Sequence, residues 1–123
     1  GAAVGPACKA VTRGGRRHRG LRPGHAADMG LLRAVADGRW AANGFRNGDV
    51  RRELFGPDGK DVTERRRRAG QVTRRLALLR AHGLVKRVPR TRRWLITDRG
   101  REVATLLAAA AHASAETLTA AAA

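Results

Sequence analysis

AGQVTRRLALLRAHGLVKRVPRTRRWLIT, residues 69–97, sets a helical pattern, a glycine and a hairpin pattern in immediate succession. Val72, Leu76 and Leu79 recur at i, i+4 and i+7, which puts them on one face of a helix with 3.6 residues per turn. Arg67, Gly70, Arg74 and Ala77 fall on the opposite face, with Gln71 and Thr73 on its flanks. Gly83 follows the last turn, where a left-handed stop is favoured, so the pattern predicts a helix over about 69–82. Beyond it, Leu84 to Val88 and Arg93 to Thr97 read as two short strands. In the second, Trp94 and Ile96 share one face and Leu95 takes the other. Pro89 opens the turn between them, and Arg90 and Arg92 stand at its tip. Two short strands are marginal alone, so this hairpin must lean on the helices.

Upstream, residues 1–27 mix Gly, Pro and Arg with little apolar periodicity and carry six Lys/Arg and no acid. A segment of this composition is expected to remain a flexible basic tail, because it cannot bury enough surface to order itself. It reads either as an arm that tracks phosphate or as the remnant of an upstream region, and its lack of a sustained apolar run argues against a secretory signal. A first helix is predicted from about Met29 to Asp37, with Asp28 as N-cap, Gly38 as stop and Leu31, Leu32 and Val35 inward; Trp40 after it reads as a packing residue. In NGFRNGDVRRELFG, residues 43–56, Phe45 reads as an anchor and Asn47 as the cap of a short second helix. Asp49 then suits its positive end, and Val50 and Leu54 face inward. The third helix begins either near Glu64, capped by Thr63, or near Ala69. The first start places Arg65 to Arg68 where the macrodipole disfavours cations, and the second makes them a basic loop. After the hairpin, Thr97 or Asp98 is expected to cap a final helix with Val103, Leu106, Leu107, Ala110 and Leu118 on its apolar side. Its alanine-rich end, residues 111–123, either frays or projects as a helix for homodimerisation.

The 123 residues suit one domain with tails. Lys and Arg total 26 against 10 Asp and Glu, a formal charge of +16. Half of those cations lie in residues 60–93, beside only Asp61 and Glu64. A fold of that charge density repels itself until it meets a polyanion, and nucleic acid is the first candidate. No run approaches 18 uncharged apolar residues, so no segment is expected to span a membrane. Cys8 is alone, which excludes an internal disulfide framework, and a cytoplasmic setting is the default. Phosphate-loop, nucleophile-elbow and dinucleotide motifs are missing, and His18, His25, His82 and His112 are scattered without metal spacing. No catalytic residue, metal site or cofactor is expected. His82, at the predicted helix end, reads as a charge complement to the dipole.

Taken together, the GFRN-led helix, VTRRLALLRAHGLV, KRVPRTRRWLIT and TDRGREVATLL resemble a winged helix-turn-helix domain of the broad MarR/ArsR type over roughly residues 28–110. NGFRNGDVRRELF with VTRRLALLRAHGLVKRVPRTRRW is also similar to the C-terminal domain of a larger uncharacterised bacterial protein family. On that likeness the chain would be a fragment or a truncated relative. The resemblance implies a mainly α fold with a small β-hairpin wing, and a bacterial, transcriptional-regulator-like module that binds double-stranded DNA. The recognition helix, about 69–82, would enter the major groove, and the wing, about 85–97, would lie on the backbone. Gln71, Thr73 and Arg74 are then expected near base edges, and Arg67, Arg68, Arg90, Arg92 and Arg93 on phosphates. The alternatives are an RNA- or ribosome-associated basic protein, or an interaction-domain fragment. Two Phe, two Trp and no Tyr count against single-strand readout, which needs stacking platforms.

Overall fold

Residues 69–97 form the second half of a long helix and the hairpin that follows it. A computed structural model describes residues 7–22 and 25–122. In chain order its elements are strands β1 (Val11–Arg13) and β2 (Arg16–His18), helix α1 (Ala26–Ala36), a 3₁₀ turn (Gly38–Trp40), α2 (Asn47–Phe55), α3 (Val62–Ala81), strands β3 (Val85–Arg87) and β4 (Trp94–Ile96), and α4 (Asp98–Ala122). The described chain is mainly helical, with two small antiparallel hairpins, β1–β2 and β3–β4.

Helix α3 takes the earlier of the two starts considered. The Asp61 carboxylate accepts the backbone N–H of Thr63 at 3.0 Å and of Glu64 at 3.2 Å, so Asp61 is the cap and Thr63 lies inside. Val72, Leu76 and Leu79 are buried as their spacing predicts. The helix ends in a Schellman motif: Leu84 N–H reaches the Leu79 carbonyl and Gly83 N–H the Arg80 carbonyl, both at 2.9 Å. Gly83 has φ +73°, which a side chain would strain, and this reversal sends the chain directly into β3.

Leu31, Leu32 and Val35 of α1 join Val50, Phe45, Leu84, Val85 and the α3 residues in one core. Asp28 is not the N-cap of α1. The helix starts two residues earlier, at Ala26, and Asp28 sits in its first turn, 2% exposed and bonded to Arg19. Gly38 likewise opens the 3₁₀ turn and does not stop the helix, which Asp37 ends. Trp40 packs against the core and donates its indole N–H to the Ala34 carbonyl. In α2, Asn47 is the first helical residue and does not cap it; Asp49 accepts the Arg46 N–H at 2.8 Å instead. Asn47 has a different use, because its amide donates to the Ala69 carbonyl (2.9 Å) and to Thr73 Oγ1 (3.1 Å), tying α2 to α3.

In the β3–β4 hairpin, Val85 pairs with Ile96, Lys86 with Leu95 and Arg87 with Trp94. Phe45 extends it, exchanging both backbone hydrogen bonds with Trp94 (2.9 and 2.8 Å). Thr97 Oγ1 accepts the Gly100 N–H and starts α4, which lies beside α1 through Ala104 and Leu107 and buries Val103. Leu106, expected on the apolar side, is 37% exposed. At about 100° per residue it lies well off the stripe set by Gly100, Val103 and Leu107. The helix continues to Ala122, and the Leu118 side chain lies outside the described residues.

The N-terminal stretch departs most from expectation. Where a flexible tail was predicted, Val11–Arg13 and Arg16–His18 form a hairpin around Gly14 (φ +58°) and Gly15 (φ +78°), a two-residue turn of type I′ hand. Ala7 and Leu21 are 0% and 2% exposed and belong to the shared core. The segment orders because it lends two apolar side chains to a core built elsewhere, which composition alone does not reveal.

Candidate nucleic-acid interface

The exposed strip of α3 follows from its register. With Val72, Leu76 and Leu79 turned inward, Arg67 and Arg74 face solvent, with Gly70 and Ala77 half-buried between them. Arg74 has no carboxylate partner among the described residues. Gln71 is half-buried. Thr73 is exposed, but its hydroxyl donates to the Ala69 carbonyl at 3.0 Å while accepting from Asn47, so its orientation is fixed by the α2–α3 junction.

Arg67 and Arg68 are engaged differently. Glu64 receives Arg67 Nη2 at 2.8 Å and Arg68 Nε at 3.1 Å, and the Arg68 guanidinium lies 5.2 Å from the centroid of Phe55. The Arg67 hydrogen bond above all holds the Glu64 carboxyl below the ordinary carboxylate range, so Glu64 stays ionised at neutral pH. This pairing offsets part of the dipole penalty of the arginine run. Arg67 is two-thirds exposed and can exchange this partner for a phosphate at little cost.

The β3–β4 tip is organised by Thr91. Its N–H (3.2 Å) and hydroxyl (2.9 Å) donate to the Val88 carbonyl, its Oγ1 accepts the Arg93 N–H at 3.0 Å, and Val88 N–H donates to the Arg93 carbonyl at 2.9 Å. Arg90 is the only described non-glycine residue with positive φ, at 63°, a conformation that costs of order 1 kcal/mol. Arg90 and Arg92 are exposed, whereas half-buried Arg93 donates Nη1 to the Asn43 carbonyl at 3.3 Å. With Arg46 they line an open concavity of about 730 Å³. Arg87 adds to the flank, stacking over Trp94 at 5.3 Å.

A second open concavity, of about 540 Å³, gathers Gln71, Thr73 and Arg74 with Arg75, Arg16 and Arg17. The sequence reading missed Arg46, Arg75 and the Arg16–Arg17 pair as members of basic clefts. For Arg16 and Arg17 a signal was present: Gly-Gly between two three-residue runs is a hairpin pattern. Five carboxylates are occupied elsewhere: Asp28 by Arg19, Glu53 and Asp37 by Arg39, Asp58 by Arg51 and Arg52, and Asp49 by Arg52.

His82 is buried at the end of α3. Its Nε2 lies 2.7 Å from the Arg19 carbonyl oxygen, and Nδ1 has no partner. Beyond its expected place at the helix end, it forms a hydrogen-bonded link to the N-terminal segment. Among the described residues no group of His, Cys, Asp and Glu could hold a metal ion, and no helix is long and apolar enough to cross a membrane. No protein-family model, curated protein or solved structure matches the chain.

Proposed function

We propose that this chain is a duplex DNA-binding module of winged helix-turn-helix type, with α3 as the recognition helix and β3–β4 as the wing. The observation that carries this reading is the placement of Arg74, Arg90 and Arg92. All three are exposed, unpaired among the described residues, and held on rigid supports: a capped 20-residue helix and a hydrogen-bonded tip. Asn47 locks α2 across α3, and the Schellman stop delivers the chain from α3 into the wing. Base readout falls to Gln71, Thr73 and Arg74, and phosphate contact to Arg67, Arg68, Arg90, Arg92 and Arg93. A role like that of a transcriptional regulator in the bacterial cytoplasm accords with this division. Single-strand RNA readout is disfavoured, because Phe45 is buried and Trp40, Phe55 and Trp94 are partly buried against the core with an arginine over each ring.

Fluorescence anisotropy with random duplex DNA and with single-stranded RNA, each across a salt series, tests the reading. Duplex binding should be the tighter and fall steeply with salt. On a selected site, Arg74→Ala should weaken binding by roughly 5- to 150-fold and flatten the preference among sequences, as loss of a base contact does. Arg92→Ala should weaken all sequences alike and lower the salt slope by about one. Equal losses on every sequence for both variants would abolish the assigned division of labour, and tighter RNA binding would remove the duplex reading itself.

A further inference from the structure

The β1–β2 hairpin lies against α3 and is anchored beside its turn by Arg13 and at its base by Arg19. Arg13 Nη1 donates to the Arg80 carbonyl at 3.4 Å, and His82 Nε2 lies 2.7 Å from the Arg19 carbonyl oxygen. The Arg19 guanidinium also grips Asp28 of α1 through two 2.8 Å hydrogen bonds. The cleft it forms with α3 has Arg16 and Arg17 on one wall and Arg74 and Arg75 on the other. None of these four has an ion pair among the described residues.

Two physical features point to a polyanion in that cleft. The hairpin sets Arg13 directly opposite Arg16, and like charges in that position destabilise a pair of strands that are only three residues long. The second feature is where the hairpin sits around α3. At about 100° per residue, Ala69 and Thr73, which hold α2, lie on one side of the exposed strip of Gly70, Arg74 and Ala77. Gln71, Arg75 and Leu78 lie on the other side, toward the hairpin, and the cleft extends from them across the strip as far as Thr73. A helix with its side chains is about 10–12 Å across and fills a major groove about 12 Å wide. Elements on its two flanks therefore stand over the two phosphate ridges.

We infer that β1–β2 is a second wing, and that the cleft between it and α3 seats the phosphodiester backbone on the side of the groove away from α2. Arg16 and Arg17 hold phosphates from the hairpin side and Arg75 from the helix side, so both backbones of the duplex are gripped. This inference rests on the duplex-binding reading of α3.

The test measures binding of the full chain to a short random-sequence DNA duplex between about 50 and 200 mM salt. It compares wild type, Arg16→Gln/Arg17→Gln, Arg16→Lys/Arg17→Lys and Arg90→Gln/Arg92→Gln. Arg16 and Arg17 are exposed, and an unchanged circular-dichroism spectrum with a melting temperature no lower than that of wild type establishes that the variants fold. The Arg16→Gln/Arg17→Gln protein should lose about two from the slope of log K against log salt, and the lysine variant should retain it, since each neutralised phosphate contributes about 0.9. An unchanged slope in that glutamine variant, with a reduced slope in Arg90→Gln/Arg92→Gln, would remove the second wing and leave the proposed function standing. Wild-type protein that binds the duplex without a salt slope, or binds single-stranded RNA more tightly, would overturn both.

Discussion

Asp28 accepts three hydrogen bonds, from Arg19 Nη1 and Nη2 at 2.8 Å and from the Arg22 backbone N–H at 2.9 Å, in a position almost closed to solvent. Replacing it by Asn removes the charge and at least one acceptor, so Asp28→Asn should lower unfolding free energy by roughly 2–3 kcal/mol in urea titrations. The pH dependence has a definite sign. The Arg19 hydrogen bond foremost, and that of the Arg22 N–H, hold the carboxyl below its ordinary value. The stabilisation is thus complete above the unfolded carboxylate pKa of about 4 and is lost as pH falls through the lower folded value. Wild type and variant should differ fully at neutral pH and converge in acid. A gap that persists unchanged to pH ~2 would assign the effect to shape and not to charge. From spacing alone Asp28 reads as a cap, because an aspartate before an apolar helical run is most often one. Its partner is nine residues upstream, brought near only by the hairpin.

At the scale of elements, the α4–sheet contact turns on Gly100. A Cβ there would lie 2.0 Å from the Leu84 carbonyl oxygen and 2.8 Å from Ile96 Cγ1, so Gly100→Ala must push α4 away from β3–β4. A cost of about 3 kcal/mol in chemical denaturation is expected. At Gly59 nothing lies within 4 Å of the same added atom, so Gly59→Ala should stay within ~0.5 kcal/mol of wild type. Equal effects at both positions would show that chain entropy, and not close packing, governs the response. Much at this scale was legible. The α3 core face, its glycine stop and the pairing of β3 with β4 all follow from local spacing. The sequence leaves the start of α3 between Glu64 and Ala69, because Arg65 to Arg68 are unfavourable in a first helical turn. The sequence reading did not single out the Asp61 cap that fixes it. Leu106 was misplaced because an alanine-rich helix has no sharp apolar stripe, and its buried face is chosen by what it meets on α1.

Across the whole molecule, 26 cations face 10 acids, and among the described residues six of those acids pair with Arg19, Arg39, Arg51, Arg52, Arg67 and Arg68. The arginines of both hairpin tips and the exposed strip of α3 then repel one another without internal relief. Melting temperature should therefore rise between low and moderate salt as screening shortens the Debye length to about 10 Å at 0.1 M. It should rise further at low salt when duplex DNA is added, because a ligand of the folded state shifts the equilibrium by mass action. Differential scanning calorimetry reads both effects. A melting temperature that falls with salt would mean that the ion pairs outweigh the repulsion.

By itself the sequence determined the local properties: which residues of α3 turn inward, where that helix ends, that a short hairpin follows it, and that cations far outnumber acids. These depend on interactions within a few residues, or on a sum over all of them, and both can be read from a string of letters. Only the tertiary structure decided that residues 7–22 are ordered and stand beside α3. Leu21 and Ala7 are buried against residues far along the chain, and Arg19 reaches both Asp28 and His82. A weakly apolar segment orders when a core already formed by others has room for its few apolar side chains. That room is a property of the assembled fold and not of the segment.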